Sequence, residues 1–534
     1  MKVIISTILI FASQISVSFA QTNPFDVLLE PINISDLIGV QSFAYGQYNG
    51  KLLVVGGRLD GLHRRQPFAA FDEAGENGNL IVIDPVASQQ WTAPLTSLSS
   101  NLQEQLSSTN MEFYQSDSIL YCLGGYGYNN LAADHITYEN LTAINVPLVI
   151  NAIINGFTFN TFIRQITDSE FAVTGGRLDK IDNTYYLVGG QKFTGEYNPM
   201  GGPTFTQEYT NQIRKFTIDD NGTSISIIHL PSITDAVNLH RRDYNVMPQI
   251  MPNGDEGITA FSGVFQTTAD VPYLNCVNIE SSGYTVNNAF AQYYNHYHCA
   301  NLPLYSASAN EMHNVFFGGI AQYYDSAGIL VQNNNVPFVK TIARVTRNAS
   351  GLMSEYKMPV EMPSLLGAGS ELIIVNELPM YNNGVLKLDE FTNDTTLAGY
   401  ILGGISSSAA NIFFTNTGTE SSANEQLIKV YIIKKSSSGL HELNKQSINS
   451  LQMQVYPNPN DGIITIKFNL LKSEEIKLSI SNSEGKVIKT ETLTHLLSGE
   501  NLLNYKIRKT NNQSIYFITI ETKDEKAFQK IIIN

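Results

Sequence analysis

The sequence predicts an all-β protein, with a radial or stacked array of β-units over most of the chain and a small β-sandwich at its C-terminal end. Three observations predict it. First, short apolar strands end in a Gly-Gly pair five times, at Gly56-Gly57, Gly124-Gly125, Gly189-Gly190, Gly318-Gly319 and Gly403-Gly404, and a worn copy, Ser262-Gly263, falls in the remaining gap. Their mean spacing is about 69 residues, a period that marks repeated β-units. Second, the 534 residues include 39 Gly, 27 Tyr and 26 Phe, a composition suited to strands and tight turns. Third, the segment from residue 451 onward changes to short alternating strands without Gly pairs.

The N-terminus reads as a secretory leader over residues 1–20. Lys2 is the basic start, Val3 to Ala12 the short apolar stretch, and Ser18-Phe19-Ala20 a small-x-Ala cleavage site that leaves Gln21 as the mature start. The apolar stretch is too short to span a bilayer, and no later run of about 18 apolar residues follows. An exported protein without a transmembrane segment is the expectation.

The first full unit runs Gly50-Lys51-Leu52-Leu53-Val54-Val55-Gly56-Gly57, then a long loop, then Leu80-Ile81-Val82-Ile83-Asp84-Pro85, then Gln90-Trp91. Asp182 to Gly190 and Asn314 to Gly319 repeat the turn, apolar strand and Gly pair. Continuous apolar strands of this length are expected to be buried on both faces. A further β-rich stretch starts about 20 residues after several pairs, and an outer strand leads to a proline at Pro94, Pro231 and Pro359. The reading is four strands per unit, with the pair closing the second. The sixth unit lacks its fourth strand, because polar Lys435-Ser436-Ser437-Ser438-Gly439 follows its third. Phe25-Asp26-Val27-Leu28-Leu29-Glu30-Pro31 has the missing strand's pattern, and pairing it there would close the ring and remove the open edges.

The motif resembles the kelch repeat, most closely in the first unit, where Val54-Val55-Gly56-Gly57 is followed by Ile83-Asp84-Pro85 and Trp91. The later units keep the Gly pair and lose the Asp-Pro and the Trp. The resemblance covers roughly residues 25–435 and implies a six-bladed kelch-like β-propeller, assigned here to 21–435. The interval from Gly318 to Gly403 is long enough to hold an insertion or a further blade.

Residues 436–450, rich in Ser and Asn, read as a linker. Residues 451–534 read as a small Ig-like β-sandwich. Their opening, Tyr456-Pro457-Asn458-Pro459 with Gly462, and their short basic-apolar end resemble the C-terminal sorting domain of the type IX secretion system. That resemblance implies a Bacteroidota-type cell, the secretion machinery as a partner, and release from the cell or attachment to its surface.

The formal charge is −15. Residues 441–534 hold 12 Lys/Arg against 10 Asp/Glu, so the acidity lies in the first 440 residues. Such a body is a poor partner for nucleic acid or anionic lipid. The three cysteines lack zinc-type spacing. Cys122, in an apolar strand, reads as a buried small hydrophobe, and a Cys276–Cys299 bridge is one possibility. No nucleophile motif, P-loop or dinucleotide fingerprint is present.

In a four-stranded blade, the loop after strand two and the lead-in to strand one open on the same face. That rule gathers Arg58, His63, Arg64 and Arg65 from the first unit, His240, Arg241, Arg242, Asp243 and Tyr244 from the fourth, and His296 and His298 from the fifth. Arg offers planar donors for carboxylate, sulfate or phosphate, and Tyr a surface on which sugar rings stack. The reading is an exported binding propeller for a glycan or anionic sugar, or for a protein partner. No cofactor is expected. His296 and His298 alternate on a strand, so a metal held by the pair stands beside satisfied polar packing as an alternative. Arg242 likewise has a scaffold reading, and His313 reads as core. Two enzyme families share the kelch architecture. Copper radical oxidases use a Cys-crosslinked Tyr, and Tyr297-His298-Cys299 resembles that set superficially. Sialic-acid mutarotase-like propellers use Arg for a carboxylate. A structural role in surface adhesion is the third alternative.

Overall fold

The computed structural model describes residues 23–65, 70–199, 204–326, 328–435, 451, 453–470, 472–482, 486–507, 514–523 and 526–533. The leader and the linker lie outside the described residues. The chain divides into two compact units, Met1–Lys435 and Ser436–Asn534.

The first unit is a six-bladed β-propeller. Its blades are built on four antiparallel strands, as Ala44–Tyr48, Lys51–Val55, Asn79–Asp84 and Gln89–Pro94 in blade 1, and in blades 2, 3, 5 and 6 further strands are inserted between the four. Blades 2 to 5 start at Thr109, Arg177, Asn245 and Asn301. Blade 6 takes Leu365–Ile374, Thr395–Ser407 and Leu427–Lys434 from one end of the unit and its outer strand, Phe25–Ile32, from the other, with Phe25 opposite Lys434 and Ile32 opposite Leu427. The long interval before Gly403 holds an insertion, not a blade. Its Leu386–Lys387 strand lies parallel to the inner strand of blade 5.

Continuous apolar strands are explained by neighbours on both sides. Leu53, Val55, Leu80 and Val82 of blade 1 pack with Leu120, Cys122 and Ile144 of blade 2. The alternate residues Leu52, Val54, Ile81 and Ile83 pack with Tyr400, Leu402 and Leu427 of blade 6. Each strand thus contributes to two interblade cores, and the hydrophobic effect acts on both faces.

The Gly pairs stitch blade to blade. The second residue of each pair donates its backbone N–H to a carbonyl leading into the next blade: Gly57 to Ser108 (2.9 Å), Gly125 to Val173 (2.9 Å), Gly190 to Arg241 (2.8 Å), Gly263 to His296 (3.3 Å), Gly319 to Leu366 (3.0 Å) and Gly404 to Val40 (2.9 Å). The first residue permits the approach. A Cβ at Gly124, where φ is +65°, would lie 1.9 Å from the Val173 carbonyl oxygen, and one at Gly318 would lie 2.1 Å from that of Leu366. The junction with the worn pair, Ser262-Gly263, has the longest of these bonds.

A second circuit lies on the axis. The N–H of Ser42 donates to the carbonyl of Gly369 (2.8 Å), Asn110 to Ser42 (3.0 Å), Gly175 to Asn110 (3.3 Å), Asp243 to Gly175 (2.7 Å), His298 to Asp243 (3.0 Å) and Gly369 to His298 (3.0 Å). The path returns to its start after six steps, one residue per blade, which fixes the blade number. Ser42, Asn110 and Asp243 adopt positive φ, a conformation that Asn and Asp tolerate better than most side chains. Each such bond contributes about 1 kcal/mol net.

Cys122, Cys276 and Cys299 are all free and fully buried. The Cys276–Cys299 bridge, one possibility in the sequence, does not form. Both residues sit in one apolar cluster, where Cys276 contacts the Met353 sulfur at 3.6 Å and Cys299 lies 3.7 Å from the Asn245 amide.

The second unit is a sandwich of a three-stranded and a four-stranded antiparallel sheet. Alternate residues, Ile464, Ile466 and Phe468 facing Ile476, Leu478, Ile480, Ile518 and Ile520, form its core. The Tyr456-Pro457-Asn458-Pro459 opening is pinned to the last strand. The Ile532 N–H donates to Asn458 Oδ1 (2.8 Å), and the Asn460 N–H donates to the Ile532 carbonyl (2.9 Å). Asn460 Oδ1 in turn accepts from the Gly462 N–H (2.8 Å).

Candidate functional site: a walled funnel on the propeller axis

The loops after strand two and the lead-ins to strand one surround a cavity of about 500 Å³. All six blades contribute. Arg58, His63, Arg65, Arg242, Asp243 and His298 line it, and Arg64, His240, Arg241, Tyr244 and His296 do not.

The residues off the cavity have structural tasks. Arg241 is 1% exposed. It donates to the carbonyls of Asn238 (2.5 Å), Ser262 (2.6 Å) and Asn275 (3.0 Å) and lies over the Tyr273 ring. Burial lowers its guanidinium to about 10. Arg241 thus has a scaffold role within blade 4. Tyr244 is core, its hydroxyl donating to the Val188 carbonyl (2.7 Å). His240 stacks on Tyr209 and is bound to Asn211. Arg64 is exposed against Gly418. His296 is fully buried, with Nδ1 accepting from the Gln322 N–H (2.9 Å) and Nε2 bonded to the Gln292 carbonyl (2.9 Å). Both its nitrogens are engaged, so the His296/His298 pair does not fit a metal. Among the described residues no cluster of three or more His, Cys, Asp or Glu is arranged to hold one. Cys299 faces the core, so Tyr297, His298 and Cys299 do not form a Tyr–Cys cross-link site on the cavity.

On the cavity wall, Arg58 is held by Asp60 through Nε (2.8 Å) and Nη2 (2.5 Å) and by the Asp72 carbonyl (2.9 Å), with its face on Phe71. Arg242 donates through Nε to the Tyr209 hydroxyl (3.0 Å), pairs through Nη1 with Asp243, and lies over Phe265. Its Nη2 makes no hydrogen bond among the described residues. Burial opposes its charge, but Asp243 and the hydroxyls of Tyr209, Tyr297 and Tyr197 outweigh that and raise it. Arg65 donates to the Phe414 carbonyl (3.0 Å) and covers that ring. Burial, reinforced by Arg242 and Arg58, holds His63 below its ordinary value and neutral. Burial raises Tyr197 and Tyr297, leaving both as hydroxyl donors at neutral pH.

Sequence reading missed the aromatic wall. Phe71, Tyr126, Phe193 and Tyr197 form one edge-to-face cluster, His63 packs on it, and the Tyr126 hydroxyl donates to the Gly195 carbonyl (2.8 Å). Phe265, Tyr297, Phe413 and Phe414 stand on the other blades. A signal was present: Tyr126 and Phe193 follow a Gly pair within three residues, and Phe265 follows the worn Ser262-Gly263. Of the three guanidiniums on the lining, Arg58 is paired with Asp60 and Arg242 with Asp243.

The floor is closed. The axial circuit supplies Ser42, Asn110, Asp243, His298 and Gly369 to the cavity lining. At the same point on the axis, Arg177 of blade 3 meets Glu371 of blade 6 at 3.0 Å. In a six-membered ring these blades are opposite, so the ion pair crosses the axis. His298 Nε2 lies 2.9 Å from the same Glu371 oxygen and 3.2 Å from Arg177. Burial pushes the Glu371 carboxyl up, but Arg177 and His298 more than offset this and hold it at about 2. The small gap lined by Arg177, Asp243 and His298 measures about 10 Å³, room for one water at most.

Residues 454–534 match the family model of a secretion-system C-terminal sorting domain. No curated protein matches the chain. Among solved structures, YjhT is 10% identical with a TM-score of 0.39, over 74% of this chain and 98% of that one. A glycoside hydrolase family 43 arabinoxylan arabinofuranohydrolase from Bacillus subtilis, in complex with cellotetraose, is 11% identical with a TM-score of 0.29, over 93% and 95%. An exo-1,5-α-L-arabinanase from a bovine ruminal metagenomic library is 9% identical with a TM-score of 0.23, over 74% and 94%. These likenesses are too distant to bear on the site, and the blade number rests on the hydrogen-bond circuits. No helix among the described residues is long and apolar enough to cross a membrane. The C-terminal domain marks the chain as a substrate of type IX secretion machinery of the Bacteroidota type, exported to the cell surface or the medium.

Proposed function

We propose that the propeller is of kelch type and is a binding module for a glycan, with the funnel as its site and an acidic sugar as the favoured ligand. The observation that carries this reading is an aromatic-walled cavity of drug-like volume whose guanidiniums are already fixed by carboxylates and rings. Sugar rings offer C–H faces to Phe and Tyr, and an acidic group meets Arg242 and Arg65. Pre-ordered donors lose little entropy on binding. The test is a glycan array probed with the protein from residue 21 and with Arg242→Met and Arg65→Met variants. Binding of glycans with acidic ends, weakened at least tenfold by Arg242→Met, supports the reading. An array without a bound glycan, or variants that bind as the parent does, sinks it.

A second reading, an enzyme on the same face, is favoured by one observation. His298 lines the floor with Nε2 held by Glu371, the arrangement by which a carboxylate orients an imidazole for proton transfer. Its test is NMR of the bound glycans over time. A released or rearranged sugar, lost with His298→Gln, supports catalysis, and unchanged spectra argue for binding alone.

A further inference from the structure

We propose that the funnel takes the end of a saccharide chain, about one to three rings deep, and not the chain's interior. The inference rests on the carbohydrate reading above and concerns which part of such a ligand is recognised.

Two independent features carry it. The floor is sealed, because the Arg177–Glu371 pair joins opposite blades across the axis and His298 completes the seal. No strand of sugars can be threaded through. Residues from all six blades also line the wall. The hairpin of Gln191–Gly195 and Phe205–Tyr209 rises from blade 3 and pairs through Thr194 with Ile136 of blade 2, so two neighbouring loops form one raised sheet. The Tyr126 hydroxyl fastens that sheet at the Gly195 carbonyl, and the Tyr197 N–H donates to the same hydroxyl (2.9 Å). On the far side, Phe413 stacks on Phe338 and Phe414 lies under Arg65. A site for the middle of a polymer is a groove open at both ends, along which sugars enter and leave sideways. A pit walled by all six blades admits a ligand end-on only. Its volume of about 500 Å³ falls in the range that encloses a drug-sized ligand, on the order of two or three sugar rings.

The seal also explains an otherwise costly arrangement. A buried ion pair is a weak source of stability compared with apolar packing. Glu371 and Arg177 on the axis nonetheless give the pit a rigid polar base. They hold the His298 ring, and its Nδ1, which makes no hydrogen bond among the described residues, is available to a terminal hydroxyl.

The test uses the protein from residue 21 and trisaccharides with a sialyl or uronyl terminal ring, alongside neutral trisaccharides. Each is prepared free, blocked at the non-reducing end and blocked at the reducing end, and titrated calorimetrically. The expected result is that one block, and only one, weakens binding at least tenfold. Rings added at the tolerated end beyond the third should change Kd less than twofold. Binding that neither block disturbs, or affinity that keeps rising with each added ring, overturns chain-end recognition while leaving the carbohydrate reading in place. Titrations without heat for any trisaccharide, free or blocked, overturn both.

Discussion

The floor and the wall of the funnel are built on opposite principles. At the floor, the same two backbone hydrogen bonds recur at every blade junction, and the side chains there are small, turn-forming or paired across the axis. On the wall the side chains change from blade to blade: blade 1 offers Arg58 and Phe71, blade 3 Phe193 and Tyr197, blade 4 Arg242 and Phe265, and blade 6 Phe413 and Phe414. The repeated layer is a fixed platform, and the unrepeated layer carries the chemistry. Substitutions in the first should cost stability, and those in the second should cost binding.

The sharpest way to break this comparison is Gly124→Ala. The added methyl would lie 1.9 Å from the Val173 carbonyl oxygen at a φ of +65°. A loss of at least about 3 kcal/mol is expected, read as a lower urea midpoint or a failure to fold. A change below 1 kcal/mol would mean that the junction yields and the stitch is not structural.

Next comes the ion pair across the axis. Arg177→Met alone leaves the buried Glu371 with only His298 beside it and should cost about 3 kcal/mol. The double variant Arg177→Met with Glu371→Leu should recover part of that loss. Additive costs in urea unfolding would show that the two do not act as a pair.

A pH dependence tests the burial of His296. Burial lowers folded His296 to about 4 against an ordinary value of 6.5. Between those values the unfolded chain takes up a proton that the folded chain refuses. His296 therefore costs nothing above about pH 6.5, and its contribution falls as the pH drops toward 4, by up to about 3 kcal/mol. His296→Gln should flatten that part of the acid limb in unfolding curves at pH 7.5 and 4.5. An unchanged limb contradicts the assignment.

The smallest effects on stability belong to the wall. Phe414 is 60% exposed, so Phe414→Ala should alter stability by less than about 0.5 kcal/mol. It should nonetheless weaken glycan binding severalfold in titration, since stacking area at the rim is lost. Unaltered affinity would place the ligand elsewhere on the wall.

Most of the platform was legible in the sequence, because a Gly pair at a strand end is required by backbone contact and cannot drift without altering the stitch. The outer strand from Phe25 was legible for a related reason: a ring with an open edge needs a fourth strand, and the apolar pattern before Pro31 offered one. The helix Val146–Asn155 inserted in blade 2 was not read, although Pro147 near its start and Gly156 at its end mark its limits. At the site, residues one or two positions apart proved to face different ways. Arg241 turns into the blade and Arg242 onto the cavity, and His296 is sealed in while His298 lines the floor. Linear order places a loop on a face but does not fix which side chain of a bent loop points inward. Arg177 and Glu371 are 194 residues apart and meet only because a six-membered ring sets their blades opposite.

The most direct measurement is a crystal structure of the protein from residue 21 with the best-binding trisaccharide. The account predicts one terminal sugar ring in the funnel, against the Phe71–Tyr197 wall with its acidic group at Arg242, and an intact Arg177–Glu371 pair beneath it. A saccharide lying on an outer strand, or passing through the axis with that pair parted, would contradict it.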